Sequence, residues 1–183
     1  SSFTDNLRNF RQNRPKSSED FYSWAAYIIY MEKYQALIKE AHHNFQLADY
    51  MINVTYPKIS DSKMLLSAMD SLFLAADYSM SSILYYERFL KRLPPFHDSF
   101  ENKLHLFKEN CVRRYKVDAA TLKLIQEIKE TVFLHKSSPV EFRRKDSYVI
   151  CSDRYEVKTI THSQIREQLK KARSFLELAS LIT

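Results

Sequence analysis

Apolar and small residues recur every three or four positions through residues 62–100, and the other segments of the chain are predicted to pack around this one. The spacing predicts a helix with one broad buried face. Pro94-Pro95 predicts the end of this helix, and places Arg92 and His97 on either side of a stiff corner. Small residues on the buried face would let a second helix approach closely, as in the centre of a helical bundle: Ala68, Ala75, Ala76, Ser79 and Ser82.

A second periodic stripe runs from Trp24 to Ile52 and predicts a long helix that reaches Pro57 or breaks in two on the way. Capping motifs predict where three further helices begin. These motifs are Asp98-x-x-Glu101, Asp118 and Thr161-x-x-Gln164.

The hydrophobic period changes to two between residues 147 and 161. Two β-prone runs, 148–151 and 156–160, predict a small hairpin that leans on the helices. We therefore predict an all-α, up-down bundle of five or six helices, two of them long and antiparallel, with a small β-hairpin before the last helix. Residues 18–183 form the single domain of this prediction, and residues 1–17 form a basic N-terminal arm.

The amino-acid composition argues against several fold classes and indicates the kind of partner. The 183 residues include no glycine, which disfavours sandwiches, Rossmann folds and phosphate-binding P-loops, because these use glycine for positive φ angles. The net charge of +6 favours an anionic partner.

The two cysteines, Cys111 and Cys151, share no metal or disulfide motif, and we expect both to be reduced thiols. The chain shows neither an apolar run of about 20 residues nor a secretory segment, so the expected location is the cytoplasm. Glu40-x-x-His43 has the spacing of di-iron bundles but occurs once, and we predict no metal site and no cofactor.

Over roughly residues 36 to 182, the order of elements resembles the HEPN superfamily of helical-bundle proteins. The resemblance rests first on the small-residue helix at 68–84 and on Arg92-Leu-Pro-Pro-Phe-His97, which fits an Arg followed four to six residues later by a His. A tyrosine-bearing connection and a last helix with an alanine and an aromatic residue complete it: Tyr148, Ala172 and Phe175.

The resemblance implies a metal-independent, toxin-like endoribonuclease of the kind found in toxin–antitoxin pairs. His97 would move a proton during attack by a ribose 2′-hydroxyl, and Arg92 would stabilise the charged phosphorane. It also implies a homodimer and a nucleotidyltransferase-type protein partner. The residues alone leave a structural alternative open, in which Arg92 stabilises a helix C-terminus and His97 packs at the turn.

Two non-catalytic functions also stay open. The first is a dimeric module that binds RNA, nucleotide or an acidic protein through Arg92 and basic side chains at six further positions: Arg88, Lys91, Arg113, Arg114, Arg143 and Arg144. The second is a scaffold whose aromatic-rich faces bind a protein partner, which would make the basic residues incidental. Salt-dependent RNA binding would separate these two functions.

Overall fold

The computed structural model describes residues 18–144, 147–152 and 157–183, with side chains from residue 28 onward. The predicted basic arm at residues 1–17 lies outside this part. The described chain is mostly helical, with one small sheet before the last helix, as predicted. The helices are α1 (Ser18–Tyr50), a π-helical turn (Met51–Thr55), α2 (Tyr56–Ile59), α3 (Lys63–Phe89), α4 (Phe100–Asn110), α5 (Val112–Tyr115), α6 (Ala119–Ser137) and α7 (His162–Ile182).

Helix α3 is the centre of the fold, and α1 packs along it. Tyr30 contacts Arg88 near one end, and the Ser82 hydroxyl donates to the Tyr34 carbonyl at 2.9 Å, so the two helices run antiparallel. The small residues predicted to allow close approach are all buried. Because their side chains add little bulk, the helices come close enough for this side chain to backbone hydrogen bond. The predicted pair of long antiparallel helices is confirmed.

The sheet has three antiparallel strands in the order β1 (Val140–Arg144), β2 (Ser147–Cys151) and β3 (Val157–Thr161). The predicted hairpin is β2–β3, in which Tyr148 pairs with Ile160. Ile150 and Ile160 are fully buried against the helices. Strand β1 was not predicted, and it is exposed along most of its length.

Two of the three predicted helix caps are confirmed. The Asp118 carboxylate accepts from the Thr121 N–H at 2.7 Å, and the Thr161 hydroxyl accepts from the Gln164 N–H at 3.3 Å. The prediction for α4 was wrong by one residue, because the Ser99 hydroxyl caps that helix. Asp98 instead forms an ion pair.

The predicted end of α3 needs correction, and the first long helix has the break that its prediction left open, at Met51–Thr55. Helix α3 ends at Phe89, so it stops before Pro94-Pro95 and not because of it. Helix α1 gives way to the π-helical turn at Met51, and Pro57 lies in the first turn of α2, a position that proline tolerates.

The core consists of two clusters. One packs α1, α3, α6 and α7 against the sheet, and the other joins the C-terminal half of α3 to α4 and α7. Cys111 lies in the second cluster, and burial raises the pKa of its thiol to about 12. Cys111 and Cys151 are both free thiols, as predicted. None of the helices in the described ranges is both long and apolar enough to cross a membrane.

Candidate functional site

The C-terminal end of α3 places three predicted basic residues side by side. Lys91 has φ 58°, a left-handed backbone conformation that glycine usually adopts just after the end of a helix. The Arg92 N–H donates to the Glu87 carbonyl and the Lys91 N–H to the Arg88 carbonyl, both at 2.9 Å. This pair of hydrogen bonds is a Schellman motif, and it turns the chain sharply after the last helical residue. Arg88, Lys91 and Arg92 therefore surround one helix end.

Glu87 is the buried charge of this region, and the sequence reasoning missed it. Its side chain is 0% exposed, and its carboxylate binds Arg92 at 3.3 Å. It also forms an ion pair with Arg114 and accepts a hydrogen bond from the Tyr115 hydroxyl. Burial, more than any neighbouring charge, raises the pKa of Tyr115, so this hydroxyl keeps its proton and remains a donor. One carboxylate thus joins the end of α3 to α5.

A cleft of about 510 Å³ opens beside this cluster. One side is cationic, with Arg88, Lys91 and Arg92, and the Arg88 guanidinium lies 4.4 Å from the centre of the Tyr30 ring. The other lining residues are apolar: Leu93, Pro94 and Pro95. The described lining includes no carboxylate, so the cleft attracts anions. An apolar wall beside fixed cations also suits a ligand with both a flat ring and a phosphate.

His97 is exposed, and it does not line this cleft. Its backbone is held in place, because the Asn102 side-chain amide donates to the His97 carbonyl at 2.8 Å. The next residue, Asp98, pairs with the buried Lys103 at 3.3 Å. Lys103 also binds Asp77 of α3 at 2.8 Å, and burial raises the pKa of that carboxyl. Residues 90–99 form the connection between α3 and α4, which carries Arg92 and His97. This connection is therefore anchored to α3.

The remaining predicted basic residues divide between two ends of the molecule. Arg114 reaches the Glu87 cluster, and Arg113 is exposed beside it on α5. Arg143 pairs with Asp61 at 3.3 Å, just before α3 begins, and Arg144 is the last residue of the same strand. Because α3 has 27 residues, its two ends lie about 40 Å apart. The fold separates Arg143 and Arg144 from the cleft.

No family model matches the chain. Searches of curated proteins and of solved structures also find no significant match. The function proposed below therefore rests on the geometry of the residues in this structure.

Proposed function

We propose that the cleft at the end of α3 binds RNA through its phosphate backbone. The observation that supports this most directly is the cationic lining of Arg88, Lys91 and Arg92. Glu87 binds Arg92 and Arg114, and its single negative charge cannot neutralise these two arginines. It therefore leaves the charges of Arg88 and Lys91 uncompensated as well. Tyr30 and the apolar wall offer surfaces on which an unpaired base can pack, which favours single-stranded RNA.

Arg88 and Lys91 are the residues that test this proposal best. Neither pairs with a carboxylate among the described residues, so their replacement leaves the Glu87 cluster intact. Lys91→Asn is the suitable change, because asparagine tolerates the left-handed backbone that Lys91 adopts. Arg88→Gln removes the charge and keeps a side chain long enough to cover Tyr30.

We expect the combined Arg88→Gln and Lys91→Asn changes to weaken binding of a mixed-sequence single-stranded RNA at least about tenfold, because each lost cation is a lost charged phosphate contact. The slope of log affinity against log salt should also fall by about 1 to 2. Fluorescence anisotropy in EDTA measures both quantities. Arg143→Gln with Arg144→Gln, at the far end of α3, is the matched control and should change neither. Equal losses in both variants would contradict the assignment of binding to the cleft.

Cleavage of the bound RNA is a second candidate function. It is favoured by the anchored connection, which fixes the backbone of His97 close in sequence to an arginine whose side chain is 49% exposed. An imidazole can move protons near neutral pH, and rigid placement is what such chemistry requires. Arg92 would stabilise the charged phosphorane.

For this second candidate, we expect the wild-type protein to cut single-stranded RNA and tRNA in EDTA. His97→Ala should abolish cutting and leave salt-sensitive binding largely unchanged, whereas Arg92→Ala should weaken both, because a guanidinium contacts phosphate in the ground state as well. Gel analysis of the products measures cutting. Intact RNA with the wild-type protein, or equal cutting by His97→Ala, would leave RNA binding as the function.

The relation to HEPN-type bundles is part of the same proposal. What supports it is the buried small-residue face of α3, the connection carrying Arg92 and His97, and the position of Tyr148 before the last helix. Ala172 and Phe175, the alanine and the aromatic residue of the resemblance, both lie on α7. The homodimer and the nucleotidyltransferase-type partner stay predictions.

A further inference from the structure

A second basic cleft lies where the π-helical turn faces α7. Its volume is about 360 Å³, within the roughly 300–1,000 Å³ range of ligand pockets. The lining comes from the end of α1, the π-helical turn and α7: Asp49, Asn53, Arg166, Leu169, Lys170 and Arg173. Along α1, residues 30 and 51 are about 30 Å apart at 1.5 Å per residue, so this cleft is separate from the one at Tyr30.

The π-helical turn is held in place by α7. The Tyr56 N–H donates to the Met51 carbonyl, five residues back. His162 Nε2 lies 2.8 Å from the Ile52 carbonyl, and its ring stacks on Tyr56 at 4.7 Å. Single π-helical turns inside helices occur frequently at functional sites. This one positions Asn53 opposite the cations of α7.

Three cations follow one another along the cleft face of α7. Arg166, Lys170 and Arg173 are spaced by four and three residues, so their side chains are neighbours on the helix surface. Like charges at these spacings destabilise a helix. The adjacent face has the ordinary arrangement, in which Glu167 pairs with Lys171 four residues later at 3.2 Å. The cleft face lacks such a pairing within α7.

The acid opposite these cations is already engaged. Asp49 accepts from the Asn53 amide at 3.0 Å and from Arg173 at 3.4 Å. The Arg173 guanidinium also lies 5.3 Å from the centre of the Phe45 ring, so its position is fixed before any ligand arrives. Arg166 and Lys170 have no ion-pair partner among the described residues. Two exposed cations therefore face a concave surface whose one carboxylate in the described lining, that of Asp49, already pairs with Arg173.

We propose that this second cleft binds a short chain of linked phosphates. Arg166 and Arg173 are about 10 Å apart along the helix axis, at 1.5 Å per residue, with Lys170 between them. A chain of two or three linked phosphates can lie along this row and offer an anionic group to each cation, whereas a single phosphate offers only one. The Asn53 amide adds a neutral donor on the opposite wall.

Pyrophosphate, tripolyphosphate and inorganic phosphate, titrated calorimetrically in EDTA at low salt, test this proposal. We expect pyrophosphate and tripolyphosphate to bind at least about tenfold more tightly than phosphate, because they contact at least one more cation. Arg166→Gln with Lys170→Gln should lower the affinity for pyrophosphate to that for inorganic phosphate. The same variant, without ligand, should melt no lower than wild type, because the substitutions relieve repulsion between exposed side chains.

Two controls complete the experiment. Lys171→Gln removes one charge from the neighbouring face of α7 and should retain pyrophosphate binding, as should Arg88→Gln at the first cleft. Pyrophosphate binding that is absent in wild type, equal to that of phosphate, or unchanged in the Arg166→Gln, Lys170→Gln protein would overturn the proposal. Loss of binding in Arg88→Gln alone would assign the polyphosphate to the first cleft and overturn it as well.

Discussion

The Arg92→Gln, Arg114→Gln double variant should be less stable than the wild-type protein by about 3–5 kcal/mol, the usual cost of leaving a buried carboxylate without its charged partners. Glu87 is 0% exposed, whereas the two arginine side chains are 49% and 43% exposed. Water already solvates part of each arginine, whereas Glu87 is shielded from water in the folded chain and depends on its partners to offset the loss of hydration. Each single variant should lose much less, because the other arginine remains. Urea unfolding followed by circular dichroism measures the free energy.

The control for this prediction is the triple variant that adds Glu87→Gln. A neutral glutamine keeps an oxygen that can accept from the Tyr115 hydroxyl and removes the uncompensated charge, so most of the lost stability should return. This restoration would be a non-additive coupling, which residues in one ion-pair network show. If the double variant is as stable as wild type, or the triple variant is less stable than the double, the buried carboxylate does not depend on these arginines.

The Glu87 cluster also determines how binding experiments on this end of the molecule should be interpreted. Arg92 lines the cleft and stabilises the fold, so weaker RNA binding by an Arg92 variant has two explanations. Arg88 and Lys91 line the same cleft, and neither forms an ion pair with Glu87 in the part of the chain that the structure describes. A loss of affinity at these two positions, with unfolding unchanged, would therefore report on the ligand alone.

The sequence was sufficient to predict the helical class, because local periodicity determines which face of each helix is buried. The apolar stripes of α1, α3, α6 and α7 each extend over several turns, and their faces are the ones buried in the structure. Side-chain caps are also local signals, as Asp118 and Thr161 show. The hairpin β2–β3 was predictable because both of its runs are rich in β-prone residues, although burial on β2 does not alternate, since Val149 is buried between Tyr148 and Ile150.

Features that depend on few residues were harder to predict. Val140-Glu141-Phe142 alternates as a strand does, but the run is short, and Val140 and Phe142 are 56% and 46% exposed. Pairing with β2, rather than burial, makes it a strand. The end of α3 was hard to place because a glycine usually marks the left-handed residue after a helix, and here Lys91 occupies that position. The Ser99 cap was missed because Asp98 suited the same motif one residue earlier.

The part of the candidate site that is formed by sequence neighbours was predictable. The part that tertiary packing brings together from distant segments was not. Arg88, Lys91 and Arg92 lie within one helical turn and its end, so their proximity follows from the chain itself. Glu87 could have been found, since it lies four residues after Ile83 on the buried stripe of α3. That α5 would bring Arg114 to it depends on tertiary packing, as does the separation of Arg143 from the cleft.

Phe107→Ala should have the other large effect, a loss of about 3–5 kcal/mol, because it removes a fully buried aromatic side chain and leaves a cavity. Phe107 is 0% exposed, and its ring meets that of Phe175 edge-on at 5.8 Å, which joins α4 to α7. Leu93 belongs to the same cluster and lines the cleft, so the apolar wall of the cleft also depends on this packing. At about 2–4 °C per kcal/mol for a domain of this size, the melting temperature should fall by roughly 6–20 °C.

Phe142→Ala is the matched control for this prediction, since it makes the same chemical change on the exposed strand β1. Its side chain is 46% exposed, so we expect a loss below about 1 kcal/mol, mostly from strand propensity. Phe107→Leu should fall between the two, because leucine refills part of the cavity. Differential scanning calorimetry on the three variants measures the order. Equal melting temperatures for Phe107→Ala and Phe142→Ala would mean that α4 does not pack against α7 through Phe107, and the apolar wall of the cleft would then lack the support that Leu93 receives from that cluster.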